Sequence, residues 1–119
     1  MAGYKSLSEA ILEIETLVTE TTATRTLALT DAGKYIRCTY DSGAITVTVP
    51  PNSSVAFEDG TVIQIEASST QTVTIAEGSG VTIYYSDGSD GDVDIGTQYG
   101  VIGIKKVGTD SWVAVGDIA

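Results

Sequence analysis

Four aspartates, Asp87, Asp90, Asp92 and Asp94, crowd one short stretch, Ser86-Asp87-Gly88-Ser89-Asp90-Gly91-Asp92-Val93-Asp94. Carboxylate oxygens are hard donors of the kind that Ca²⁺ takes. The spacing of a calcium-binding EF-hand loop, D-x-[DN]-x-[DN]-G, is not met. Starting from Asp90 the required Gly falls on Ile95, and starting from Asp87 the fifth position is Gly91. The stretch therefore reads as a solvated turn, with an irregular Ca²⁺ site as the alternative. No metal or other cofactor is assigned. The same residues have a second use as an exposed recognition loop. Tyr85 precedes them, and a Tyr beside Asp side chains can stack on a sugar or join a protein interface.

Catalysis finds little to work with. The chain has no His. Cys38 stands alone, so no intrachain disulfide forms, and as a nucleophile it lacks the base it would need. It sits in the alternating run Tyr35-Ile36-Arg37-Cys38-Thr39-Tyr40 and reads as a small buried hydrophobe. A glycosidase needs two carboxylates at a set separation, one with a raised pKa. Glu58, Asp59, Glu66 and Glu77 are available, but each falls at a strand end or turn. Gly78-Ser79-Gly80 matches neither a P-loop nor a dinucleotide fingerprint. The expectation is a protein that is not an enzyme, with no catalytic residues.

The net charge is −10, from 16 acids against 6 bases, and the only basic cluster is the pair Lys105-Lys106. Nucleic acid is a disfavoured partner, because a phosphate-binding surface needs a basic patch. The acidity reads as solubility, or as docking onto a basic partner surface. No apolar run approaches the roughly 18 residues of a membrane span, and the polar start offers no signal peptide. The product is expected to be made in the cytoplasm, not secreted, and to have no membrane partner.

These groups must be positioned by a β-rich scaffold. Ile45-Thr46-Val47-Thr48-Val49, Val62-Ile63-Gln64-Ile65, Val73-Thr74-Ile75 and Val81-Thr82-Ile83 alternate apolar and polar residues, which places every second side chain on one face of a strand. Strands are expected at 27–29, 35–39, 45–49, 54–57, 62–66, 72–75, 81–85, 99–107 and 112–115. Gly, Asn, Asp or Pro turn signals separate them. Trp112 is expected in the core. Tyr84 and Tyr85 point to opposite faces, so one of them is expected to be exposed. No strict repeat is visible, which counts against a long solenoid.

Ahead of the strands, Ser6 and Glu9 match a capping box. Leu7, Ile11, Ile14 and Val18 follow at helical spacing as one apolar stripe, predicting an amphipathic helix over 6–20. Isoleucine at both seam positions favours three-stranded association. Two heptads are too short to stand alone in water, so this stripe is an expected oligomer or partner interface, or else covers the β-domain of its own chain. The expected organisation is an N-terminal helix and linker over 1–25 and a β-domain over 26–119. The fold class is all-β: an antiparallel sandwich or small barrel of about 8–9 short strands, preceded by the helix.

The run Thr26-Leu27-Ala28-Leu29-Thr30-Asp31-Ala32-Gly33-Lys34-Tyr35-Ile36-Arg37, the segment from Ile45 through Pro50-Pro51-Asn52 to Phe57, Gly60-Thr61-Val62-Ile63, the segment Val73–Ile83 and the closing Val107-Gly108-Thr109-Asp110-Ser111-Trp112-Val113-Ala114-Val115-Gly116-Asp117 together resemble a β-rich module of bacteriophage virion proteins. The resemblance covers residues 26–118. It implies a non-enzymatic, often trimeric virion component, and it transfers no catalytic residue. The acidic loop 86–94 and the N-terminal helix depart from the generic pattern. At this length, with no room for a shaft or baseplate-binding region, the expected role is a homotrimeric capsid decoration (cement) protein or short head fibre. Its partners would be itself and the major capsid protein or another virion protein. The alternative is a tail-fibre or receptor-binding module that recognises a host glycan.

Overall fold

The computed structural model describes residues 16–119. Among the described residues eleven strands, numbered along the chain, build two mixed sheets that enclose one core. The first sheet holds, side by side, β1 (Leu17–Glu20), β3 (Tyr35–Cys38), β5 (Val62–Ala67), β10 (Val101–Gly108), β11 (Ser111–Gly116), β7 (Thr82–Tyr85) and β8 (Ser89–Asp90). The second holds β2 (Thr24–Thr26), β4 (Ile45–Val49), β6 (Val73–Glu77) and β9 (Val93–Asp94).

From β1 to β7 the chain lays successive strands alternately in the first and the second sheet. Each return to a sheet is thus a crossover through the other one, and stacked strands run parallel: β1 with β3 and β3 with β5, β2 with β4 and β4 with β6. The β10–β11 hairpin then fills the space between β5 and β7, β10 running antiparallel to β5 and β11 parallel to β7. The fold is all-β, as expected. The antiparallel sandwich or barrel of about 8–9 strands is corrected to two mixed sheets of eleven strands. Periodicity fixes which face a residue occupies and carries no information on strand direction. The first half is a short solenoid of unequal coils. Stacked partners step from 17 to 35 to 64 in one sheet, and from 24 to 46 and from 45 to 73 in the other. Unequal steps leave no fixed period in the sequence.

The helix expected over 6–20 is corrected where the chain is described. Leu17–Glu20 form an edge strand, with Thr16 O accepting the Tyr35 N–H at 2.7 Å and Glu20 O accepting the Thr39 N–H at 2.9 Å. β-branched Val18 and Thr19 suit this pleat, and the parallel ladder with β3 outweighs the helical spacing. Leu7, Ile11 and Ile14 lie outside the described residues. Thr24–Thr26, inside the Thr-rich segment, is the strand that starts the second sheet. Two expected strands are absent. Leu27 extends β2 by one bond to Thr48 O, after which Leu29–Asp31 form a 3₁₀ turn. Ser54 and Val55 both donate to Pro51 O, a turn in place of the strand at 54–57.

The alternating residues meet between the sheets. Ile36, Cys38, Ile63, Ile65, Ile83, Ile102, Ile104 and Trp112 come from the first sheet, and Ile45, Val47, Val49, Val73, Ile75 and Val93 from the second. Burying one such aliphatic side chain is worth roughly 1.5–3 kcal/mol, more than an exposed ion pair at about 0–1 kcal/mol. The alternation therefore sets the register. Phe57, on the loop between β4 and β5, meets Trp112 edge-on, with ring centroids 5.5 Å apart. Lys106 holds that loop: only 2% exposed, its Nζ donates to Asn52 Oδ1 at 2.5 Å and Phe57 O at 2.7 Å.

Candidate functional site

The acidic loop begins with a 3₁₀ turn, Ser86–Gly88, in which Asp87 takes a left-handed φ of 64°. Its carboxylates do not converge. Asp92 Oδ1 accepts the Glu77 N–H at 2.8 Å, and Asp94 Oδ1 accepts the Thr74 hydroxyl at 2.5 Å, so both tie the loop to β6. Asp90 lies in β8 opposite Tyr84. Among the described residues no three Cys, Asp or Glu side chains group closely enough to hold a metal ion. Two of the four aspartates thus work as internal acceptors, a use that loop composition alone does not reveal.

Beside this loop the first sheet splays. β7 pairs with β11 only from Thr82↔Ser111 to Tyr84↔Val113, while β11 runs on to Gly116. The gap is an open groove of about 260 Å³, lined by Tyr84, Tyr85, Ser86, Val113, Val115 and Ile118 among others. Tyr84 is exposed, and Tyr85 packs partly against the core, so the opposite-face expectation holds. Of the loop candidates, Tyr85 lines this concave surface, Asp90 pairs with Tyr84 on the next strand, and Asp92 and Asp94 turn toward β6.

The outer face of the first sheet is the larger feature. Leu17, Val62, Tyr84, Val107 and Val115, five of the seven exposed large hydrophobic residues, lie in its strands. Val62 and Val113 flank Lys105 in register, Val113 neighbours Tyr84, and Gly103 lies opposite Val115. The sequence pattern marked Tyr84 as one of a pair with an exposed member, but not Val62, Val107 or Val115 as exposed. Their signal is the outward beat of strands whose off-beat residues are Val where Thr would be ordinary. Val18, counted in the apolar stripe, is instead an inward residue of β1 packed against the core.

Two ion-pair clusters lie on the early coils. Arg25 Nη1 donates to Glu20 at 2.8 Å and Nη2 to Asp31 at 2.6 Å, and the other Asp31 oxygen accepts the Ala28 N–H at 2.9 Å. Burial opposes Glu20 ionisation, but hydrogen bonds from Arg25 and Thr22 outweigh it and hold the carboxyl below its ordinary pKa. Likewise burial opposes the Arg25 charge, and its two carboxylate partners overcome that, raising its pKa. On β3 and β5, Glu66 accepts from the Tyr35 hydroxyl at 2.6 Å and from Arg37 Nε at 3.1 Å. Burial first, and then the Glu66 carboxylate, pushes the Tyr35 phenol up to about 12. Burial pushes the Cys38 thiol up to about 11, with no exposed surface. That is the reverse of an activated nucleophile. Of the acids weighed for catalysis, Glu66 is engaged as described and Glu77 Oε2 accepts the Ile83 N–H at 2.8 Å, while Glu58 and Asp59 lie exposed in a turn. No family model matches the sequence, and no curated protein is significantly similar to it.

Proposed function

We propose that this chain is a non-enzymatic structural protein of a phage virion: a homotrimeric capsid decoration (cement) or head-fibre protein that docks on the major capsid protein, or another virion protein, and stabilises the shell. The observation that carries the proposal is the outer face of the first sheet. Leu17, Val62, Tyr84, Val107 and Val115 leave an apolar surface uncovered on a chain of net charge −10. Contiguous exposed apolar surface rimmed by polar residues marks an interaction site. That face carries few carboxylates, and Glu66, on it, is matched by Arg37. Copies can therefore meet there without stacking acid against acid. The resemblance to virion β-modules points the same way. The segment with Leu7, Ile11 and Ile14 joins the body at β1, an edge strand of this same sheet. Three such segments on one trimer would bind a lattice with added avidity.

Native mass measurement at micromolar concentration tests the assembly, and a stable monomer would refute it. Removing residues 1–15 tests the docking arm without disturbing β1. Truncated protein that binds bare capsids as tightly as the full chain would end that role. A second reading, a tail-fibre module that recognises host glycan, is favoured by the Tyr84–Tyr85 groove. It requires glycan binding that Tyr84→Ala abolishes.

A further inference from the structure

Lys106 is the one buried cation, among the described residues, that forms no ion pair. Lysines are almost never fully buried unless paired, because a bare ammonium is costly to desolvate. Its nitrogen instead presses on a carboxamide: Nζ lies 2.5 Å from Asn52 Oδ1, shorter than the usual range of about 2.7–3.2 Å for an N–H···O bond. A C=O bond is about 1.23 Å long, so Asn52 Cγ sits at most roughly 3.7 Å from Nζ, beside the ~3–3.5 Å of a near-attack pair.

Both partners are held in place. Lys106 belongs to β10, its backbone N–H donating to Thr61 O and its carbonyl accepting from Gly60 N. Asn52 is anchored by its own N–H to Asp110 Oδ1 at 2.7 Å. Trp112, the register partner of Lys106, and Phe57, whose carbonyl accepts from Nζ, form an edge-on aromatic pair beside the site. Rigid, water-poor placement of an amine on a carboxamide supplies the proximity that an uncatalysed amide exchange lacks.

We propose that Lys106 and Asn52 form an intramolecular amide cross-link. The Nζ–Cγ bond forms and the Cγ–Nδ2 bond breaks. Nδ2 leaves with the protons that Nζ gives up, so the lysine ammonium is exchanged for a released ammonium ion. The step balances without oxidant, reductant or cofactor. The bond ties the loop between β4 and β5 to β10 and locks Phe57 over Trp112. This inference is independent of the virion reading.

Intact-mass spectrometry of the full-length protein, fresh and after prolonged incubation, decides it. The expected product is lighter than the sequence by one ammonia and yields a branched peptide joining the segments that contain positions 52 and 106. Lys106→Arg should keep its full mass, and Asn52→Asp should lose one water where the parent loses ammonia. A wild-type protein that retains its full mass overturns the proposal. So does ammonia loss that persists in Lys106→Arg, which would place the reaction in a succinimide between Asn52 and Ser53.

Discussion

The coils that begin the molecule and the strands that close it spend carboxylates in different ways. In the coils, acids pair with cations: Glu20 and Asp31 share Arg25, and Glu66 holds Arg37. In the closing strands and their loops, acids cap backbone N–H groups: Asp92 that of Glu77, Asp110 that of Asn52 and Asp117 that of Thr97, and Glu77, at the end of the last coil, caps that of Ile83. The chain has 16 acids for 6 bases, so ion pairing cannot occupy most of its carboxylates. Peptide N–H groups in turns are the remaining donors, and charge-assisted bonds to them are strong. Much of the acidity is therefore architecture, which lowers the need to invoke a metal or a basic partner for it.

The largest expected effect separates the halves by backbone geometry. Gly116 has φ of 132°, and a methyl there would overlap the Val101 carbonyl. Gly116→Ala should cost about 3 kcal/mol, read as a lower midpoint in urea. Gly33, in the coils, also has a positive φ of 74° but meets nothing within 4 Å. Gly33→Ala should cost about 1 kcal/mol, the conformational part alone. Equal losses at the two sites would erase the distinction.

The next contrast sets a buried latch against an exposed cap. Asp31 is 2% exposed and serves both Arg25 and the Ala28 N–H. Asp31→Ala should cost about 2 kcal/mol, since it strands both donors and Arg25 keeps partial access to water. Asp92→Ala removes one exposed bond to Glu77 N and should cost about 1 kcal/mol or less. Thermal melts of the two variants compare them directly. An Asp92 loss as large as that of Asp31 would mean that the acidic loop is a structural keystone.

How much of this was legible in the sequence differs by element. Ile45–Val49 and Val73–Glu77 fall where their alternation placed them, because side-chain period and burial are local facts. Leu17–Glu20 were misread because Leu7, Ile11, Ile14 and Val18 carry a helical spacing that ends, in the structure, at a parallel partner distant in sequence. The parallel stacking was hidden because the loop that carries Phe57 lengthens one coil and not its neighbour. Of the candidate site, Tyr84 and Tyr85 were legible as an outward and an inward pair. The duties of Asp92 and Asp94 were not, since both depend on β6 lying alongside. The latches escaped notice for a similar reason: Tyr35 and Glu66 stand 31 positions apart in sequence.

The smallest expected effect tests a latch whose donor is a hydroxyl. Tyr35 donates to Glu66, and its phenol is raised from an ordinary 10.0 to about 12. The folded state thus holds this proton more tightly than the unfolded chain does. The stability that it contributes is complete below pH 10 and is lost as pH rises toward 12, where the folded phenol also ionises. Tyr35→Phe should cost about 1 kcal/mol at neutral pH. The gap to wild type should then shrink through the alkaline window, because the variant has no phenol to lose. Absorbance titration of phenolate gives the second readout: five of the chain's six tyrosines remain in the variant, and the one removed should be a late-titrating one. A gap that stays constant from neutral pH through that window would mean that folding does not tighten the phenol's hold on its proton, leaving Arg37 as the group that secures Glu66.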